Sequence, residues 1–153
     1  MKRIFIMITF FSCLSTAAPL YAACTERCVS ASLDFSGTQN SAGCYEVPKG
    51  GSIVLTACVA NCGPCTESVR VELYASRQPF NVCSGTGSPT LAATRSVVLG
   101  PGASNCQSQT ITIPATAPNA TLYYQLRART VDRRVVNATA CSEVECVQIV
   151  DAK

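Results

Sequence analysis

Cysteine restricts this chain more than any other residue type: it occurs 11 times in 153 residues. One of the 11, Cys13, falls in a leader-like segment, which leaves Cys24, Cys28, Cys44, Cys58, Cys62, Cys65, Cys83, Cys106, Cys141 and Cys146. Ten thiols in about 130 residues is the density of a disulfide scaffold, and such a scaffold persists only where the surroundings are oxidising. The even number predicts five structural bridges. Their pairing stays open, because ten cysteines allow about 945 connectivities.

The leader itself supports export. Met1-Lys2-Arg3 is a short positive start, Ile4 to Leu14 is an apolar run of signal-peptide length, and Ser15 to Ala23 is rich in small residues. Residues 1–23 are therefore expected to be removed, leaving 24–153 as a single disulfide-rich domain that is secreted, periplasmic or held at the cell surface. A lipid anchor at Cys24 is the competing reading. Tyr21 fits that motif poorly, and lipidation would leave an odd set of nine thiols. No other stretch is long and apolar enough for a transmembrane segment.

Composition then removes whole classes of chemistry. The chain has no His, which excludes histidine general bases, Ser-His and Cys-His nucleophile pairs, and histidine-ligated metals. Neither a G-x-S-x-G nor an S-x-x-K motif occurs, and the acidic residues are scattered singly. With Lys2 and Arg3 in the leader, the 12 basic residues fall to ten against nine acidic ones. So balanced a charge gives no footprint for nucleic acid. The expectation is a protein that is not an enzyme and has no cofactor.

Hydrophobic periodicity points to strands. Val29, Ala31, Leu33 and Phe35 alternate with polar residues, as do Val69, Val71, Leu73 and Ala75. Leu122, Tyr124, Leu126 and Ala128 give the clearest alternation, with Tyr123, Gln125, Arg127 and Arg129 on the other face. Ser52 to Ala60 is apolar on both faces, which predicts a central strand. Leu91 to Leu99, Cys106 to Ile113 (near an edge, before Pro114) and Glu143 to Val150 complete the set. No segment shows helical periodicity. About seven short strands separated by turn signals predict an all-β, immunoglobulin-like two-sheet sandwich stapled by disulfides.

Within that pattern, Ser52 to Asp132 resembles the bacterial CARDB family of immunoglobulin-like domains from exported and cell-surface proteins. The matching features are the turn Val59-Ala60-Asn61-Cys62-Gly63, the strand Val69-Arg70-Val71-Glu72-Leu73-Tyr74, the turn Leu99-Gly100-Pro101-Gly102-Ala103, and a strand ending in Val131-Asp132. The chain departs from the family in its wealth of cysteine and in Arg133-Arg134 after Val-Asp. The resemblance implies a surface or adhesion-related module without catalysis.

Three constellations carry possible chemistry. Cys62-Gly63-Pro64-Cys65 is identical to the thioredoxin active-site tetrapeptide, whose leading thiol needs a helix N-terminus to lower its pKa. Here the following residues alternate as a strand, which favours a turn between structural bridges; an exported thiol-disulfide oxidoreductase is the alternative function. Cys58, Cys62 and Cys65 could together serve as metal thiolates, but export favours disulfides, so no metal is expected. Arg127, Arg129, Arg133 and Arg134, with Tyr123, form the one basic cluster, a candidate patch for a protein or polysaccharide partner at the cell surface. Glu143 and Glu145 on the next strand are expected to neutralise Arg127 and Arg129. Asn119 and Asn137 head N-glycosylation patterns. The loops Gln78 to Pro89 and Asn61 to Ser68 are the expected contact regions.

Overall fold

The computed structural model describes residues 26–132 and 136–152. Among the described residues nine strands run in chain order: β1 (Val29–Phe35), β2 (Tyr45–Pro48), β3 (Ser52–Asn61), β4 (Glu67–Ser76), β5 (Thr90–Leu99), β6 (Ser104–Thr112), β7 (Ala120–Thr130), β8 (Thr139–Cys141) and β9 (Glu145–Val150). They form a three-stranded sheet, β1-β3-β6, and a six-stranded sheet, β2-β9-β7-β4-β5, with β8 paired to β7. The architecture is the expected all-β two-sheet sandwich, with nine strands in place of about seven. The two additional strands are β2 and β8, of four and three residues. Runs that short carry too little alternation to register as strands.

Alternation decides which face each strand buries. In β3 every second residue points inward: Ile53, Leu55, Ala57, Val59 and Asn61 are buried, while Val54, Thr56, Cys58 and Ala60 are half-buried. The apolar outer face of β3 does not make it a doubly covered strand; it is central because β1 and β6 flank it in a sheet of three. From the opposite sheet come Val69, Val71, Leu126, Ala128, Val147 and Ile149, each at most 7% exposed. Phe35 closes one end of this core, its ring centroid 5.7 Å from Tyr45 and 5.3 Å from Tyr124. Burying each such aliphatic side chain contributes roughly 1.5–3 kcal/mol.

All neighbouring strands pair antiparallel except β2, which runs parallel to β9. The larger sheet ends in β2 and β5 and the smaller in β1 and β6; of these edges, β5 and β6 lie along the same side of the sandwich without pairing. No helix of the described residues is long and apolar enough to cross a membrane.

Candidate functional site

Four bridges join described residues: Cys28–Cys62, Cys44–Cys146, Cys58–Cys106 and Cys83–Cys141. Cys65 is disulfide-bonded as well, while Cys24 lies outside the described residues. Each of the four ties neighbours on one sheet, or a loop to its sheet. Cys58 and Cys106 face each other across β3 and β6; Cys44 and Cys146 join the segment before β2 to β9. This differs from a bridge through the core, because the crosslinks pin edges and loops that hydrophobic packing alone holds weakly.

The Cys62-Gly63-Pro64-Cys65 turn shows the consequence for chemistry. Cys62 is bonded to Cys28, not to Cys65, and the chain re-enters a strand at Glu67. Neither sulfur is a thiol, and no helix presents them, so the turn lacks the arrangement that thiol–disulfide exchange requires. Gly63 is there for space: a Cβ would lie 2.9 Å from the Glu26 carbonyl oxygen and 3.2 Å from the Cys28 nitrogen. Asn61, 1% exposed, ties the turn together. Its Nδ2 donates to the carbonyls of Cys65 (2.6 Å), Leu99 (3.1 Å) and Gly100 (3.0 Å), and its Oδ1 accepts from the Gly63 N–H (2.9 Å). The expected contact loop Asn61 to Ser68 is thus partly an interior structure, with Asn61, Gly63 and Glu67 buried. Glu67, 3% exposed, lies 3.4 Å from Arg27, which also pairs with Asp132 at 2.6 Å.

The basic cluster is rearranged relative to expectation. Arg127 pairs with Glu72 on β4, its Nη2 2.7 Å and its Nε 2.8 Å from Glu72 Oε2. It also donates to the Tyr74 hydroxyl and lies 5.0 Å from the centroid of that ring. Glu143 and Glu145 are not its partners, because β9 begins opposite Tyr124 and the Arg127 half of β7 is flanked by β8 instead. Arg129 stands opposite Arg70 of β4 and Thr139 of β8. Tyr123 is half-buried, and Arg133 and Arg134 lie outside the described residues. Glu145 instead sits near Asp34 and Glu143; partial burial and these two carboxylates push its pKa up. Of the glycosylation patterns, exposed Asn119 donates to Asp151 (3.0 Å), and Asn137 accepts from the Asp132 N–H (2.9 Å).

The long loop after β4 does not hang free. Phe80 is buried, the Val82 N–H donates to Gln125 Oε1 at 2.8 Å, and Cys83 is bonded to Cys141. Gln125 is consequently 1% exposed, although its place among the outward residues of β7 suggests solvent. Asn81 Oδ1 accepts from the N–H groups of Cys83 (3.0 Å) and Ser84 (3.1 Å), and Asn81 pairs with Thr86 through the backbone. A rigid tip results, exposed from Cys83 to Ser88.

Between the unpaired edges β5 and β6 the sandwich gapes, leaving a cavity of about 690 Å³. Its floor is apolar: Leu55 and Ala57 from one sheet, Val71, Leu73 and Leu126 from the other. Its mouth is polar. Gln107 and Gln109 on β6 pair with Ala57 and Leu55, so they occupy inward-facing positions that a closed sandwich would fill with aliphatics. Arg95 on β5 pairs with Val71 and faces the same interior. Its Nη1 donates to Asn105 Oδ1 across the mouth at 2.6 Å, whereas its buried Nη2 has no hydrogen-bond partner among the described residues. Burial pushes the pKa of this guanidinium down. Among the described residues no three His, Cys, Asp or Glu side chains cluster as metal ligands would.

No protein-family model and no curated protein matches the sequence. Solved structures do match. A CARDB domain from Pyrococcus furiosus, solved in complex with di-metal ions, aligns over 81% of this chain and 89% of its own, with 16% identity and a TM-score of 0.50. A Niemann-Pick type C2 protein from the Japanese carpenter ant aligns over 82% and 98%, with 11% identity and a TM-score of 0.50. A β-glucosidase from Erythrobacter marinus aligns over 81% of this chain but only 16% of its own, at 9% identity and a TM-score of 0.50. At such identities the likeness establishes fold and nothing about activity. Two packed sheets, the strand pattern and these neighbours together give the chain a CARDB-like, immunoglobulin-like β-sandwich fold.

Proposed function

We propose that the mature chain is an exported, non-enzymatic binding module that works at the cell surface by presenting a rigid tip to a protein partner. The observation that carries this reading is the loop after β4, which is stapled by Cys83–Cys141 and anchored by Phe80 yet leaves Cys83 to Ser88 open to solvent. A pre-ordered loop loses little conformational entropy on binding, which is what a recognition surface on a small scaffold needs. A protein is favoured over a polysaccharide because sugar recognition draws on exposed aromatic faces. Among the described residues every Phe and Tyr ring is buried or half-buried.

We infer that the tip serves adhesion or surface assembly. The test uses the oxidised protein, labelled and titrated onto isolated cell envelopes. Saturable binding that is destroyed by protease treatment of the envelopes and weakened by Ser84→Arg with Thr86→Arg supports the proposal. Binding that survives the protease, or that ignores both substitutions, refutes it. The redox alternative predicts insulin reduction that Cys62→Ser abolishes; with Cys62 paired to Cys28, no insulin reduction is expected.

A further inference from the structure

The open side of the sandwich holds an arrangement that structural economy does not explain. An antiparallel sandwich ordinarily fills the inner face of each edge strand with aliphatics, and the inner positions of β5 include Val97 and Leu99, packed on the core. Arg95 interrupts that series, and Asn105, Gln107 and Gln109 replace aliphatics on the facing edge β6. One buried N–H end of Arg95 is left without an acceptor among the described residues, an unfavourable state, more so for a charged group, unless something supplies the missing oxygen. No carboxylate of the described residues pairs with Arg95 within ion-pair distance, so the surplus charge at the mouth is positive. Below it the lining is apolar, with Leu55, Val71, Leu73 and Leu126.

We propose that the cleft between β5 and β6 binds an aliphatic monocarboxylate, its chain lying on Leu55, Val71, Leu73 and Leu126 and its head accepting from Arg95 Nη2 at the mouth. The volume, about 690 Å³, falls within the roughly 300–1,000 Å³ typical of small-molecule pockets. Nη1 is held by Asn105, so the guanidinium offers one end rather than its full fork, and a single carboxylate oxygen meets it. The amides of Gln107 and Gln109 stand on the facing wall for the second oxygen. The charge selects an anion, and the apolar floor selects a tail over a bare acid. This site is separate from the Cys83–Ser88 tip and stands or falls independently of it.

The probe is sodium dodecanoate, titrated below its micelle concentration into the oxidised protein by calorimetry, with dodecanol as the uncharged counterpart. Saturable one-to-one binding of dodecanoate is expected, with dodecanol at least about tenfold weaker, the equivalent of one charge-assisted hydrogen bond. Arg95→Gln should weaken dodecanoate by a similar factor and leave dodecanol unchanged. Ala93→Trp, on the exposed stretch of the β5 wall, should block both without touching the core. Arg70→Gln, on the outer face of β4, should change neither. The proposal is overturned if dodecanoate does not bind saturably, if dodecanol binds equally well, or if both Arg95→Gln and Ala93→Trp bind dodecanoate like the parent.

Discussion

Asn61 offers the sharpest test of how the capped turn is held. Its amide serves three backbone carbonyls with two N–H bonds and its oxygen receives the Gly63 N–H, all at 1% exposure. Each net intramolecular hydrogen bond contributes about 0.5–1.5 kcal/mol, and each buried group left without a partner costs about 1–3 kcal/mol. Asn61→Ala removes both N–H donors and the one acceptor together. A loss of about 3–5 kcal/mol follows when some relaxation and water entry are allowed. Asn61→Asp separates hydrogen bonding from size. It keeps an acceptor for Gly63 but places a carboxylate against three carbonyl oxygens, so at neutral pH it should destabilise at least as much as Ala. Burial and the facing carbonyls raise the pKa of that carboxyl above its unfolded value. Its folded state therefore recovers stability as pH falls through the raised pKa, when the protonated group becomes a donor. Urea unfolding of the oxidised proteins at pH 7 and pH 4 measures this. An Asp variant as stable as the parent at pH 7, or an Ala variant within about 1 kcal/mol of it, would refute the donor role.

Two further outcomes follow from the charged groups of the larger sheet. Arg127→Ala should cost about 3 kcal/mol, because Glu72, with its side chain 8% exposed, loses its counter-ion, whereas Glu72→Leu with Arg127→Met should come within about 1 kcal/mol of the parent; denaturant midpoints of the single and double variants check this. Glu145 has a folded pKa raised first by burial and then by Asp34 and Glu143. Its contribution is favourable below the ordinary carboxylate pKa and is lost as pH rises through the raised value, so Glu145→Gln should raise the thermal midpoint at pH 7 and leave it nearly unchanged at pH 3.

Much of this fold was legible from alternation alone. The inward sets of β1, β4 and β7 are read directly off Leu33 and Phe35, Val69 and Val71, and Leu126 and Ala128, since a period of two needs no knowledge of partners. What could not be read depends on residues distant in sequence. Gln125 occupies a solvent-facing position of β7 and is buried only because Val82, 43 residues earlier, folds over it. Arg127 finds Glu72 rather than Glu143 or Glu145 because three-residue β8, too short to announce itself, displaces β9 from its side. The cleft left a readable mark that alternation alone passes over: Arg95 stands in phase with Leu91, Val97 and Leu99, and a cation in an apolar phase signals either a buried pair or a mouth. Which of the two it is depends on β6 facing β5 without pairing, a matter of topology.

The cysteines knit this sandwich into a rigid body, and Cys62-Gly63-Pro64-Cys65 is one of its seams. Proteolysis of the protein without reduction, followed by mass spectrometry of the linked peptides, reads the pairing. A Cys28–Cys62 crosslink is expected together with Cys58–Cys106, and no alkylatable thiol before reduction. A Cys62–Cys65 crosslink, or a thiol at Cys62 that alkylates in the folded protein, would contradict it.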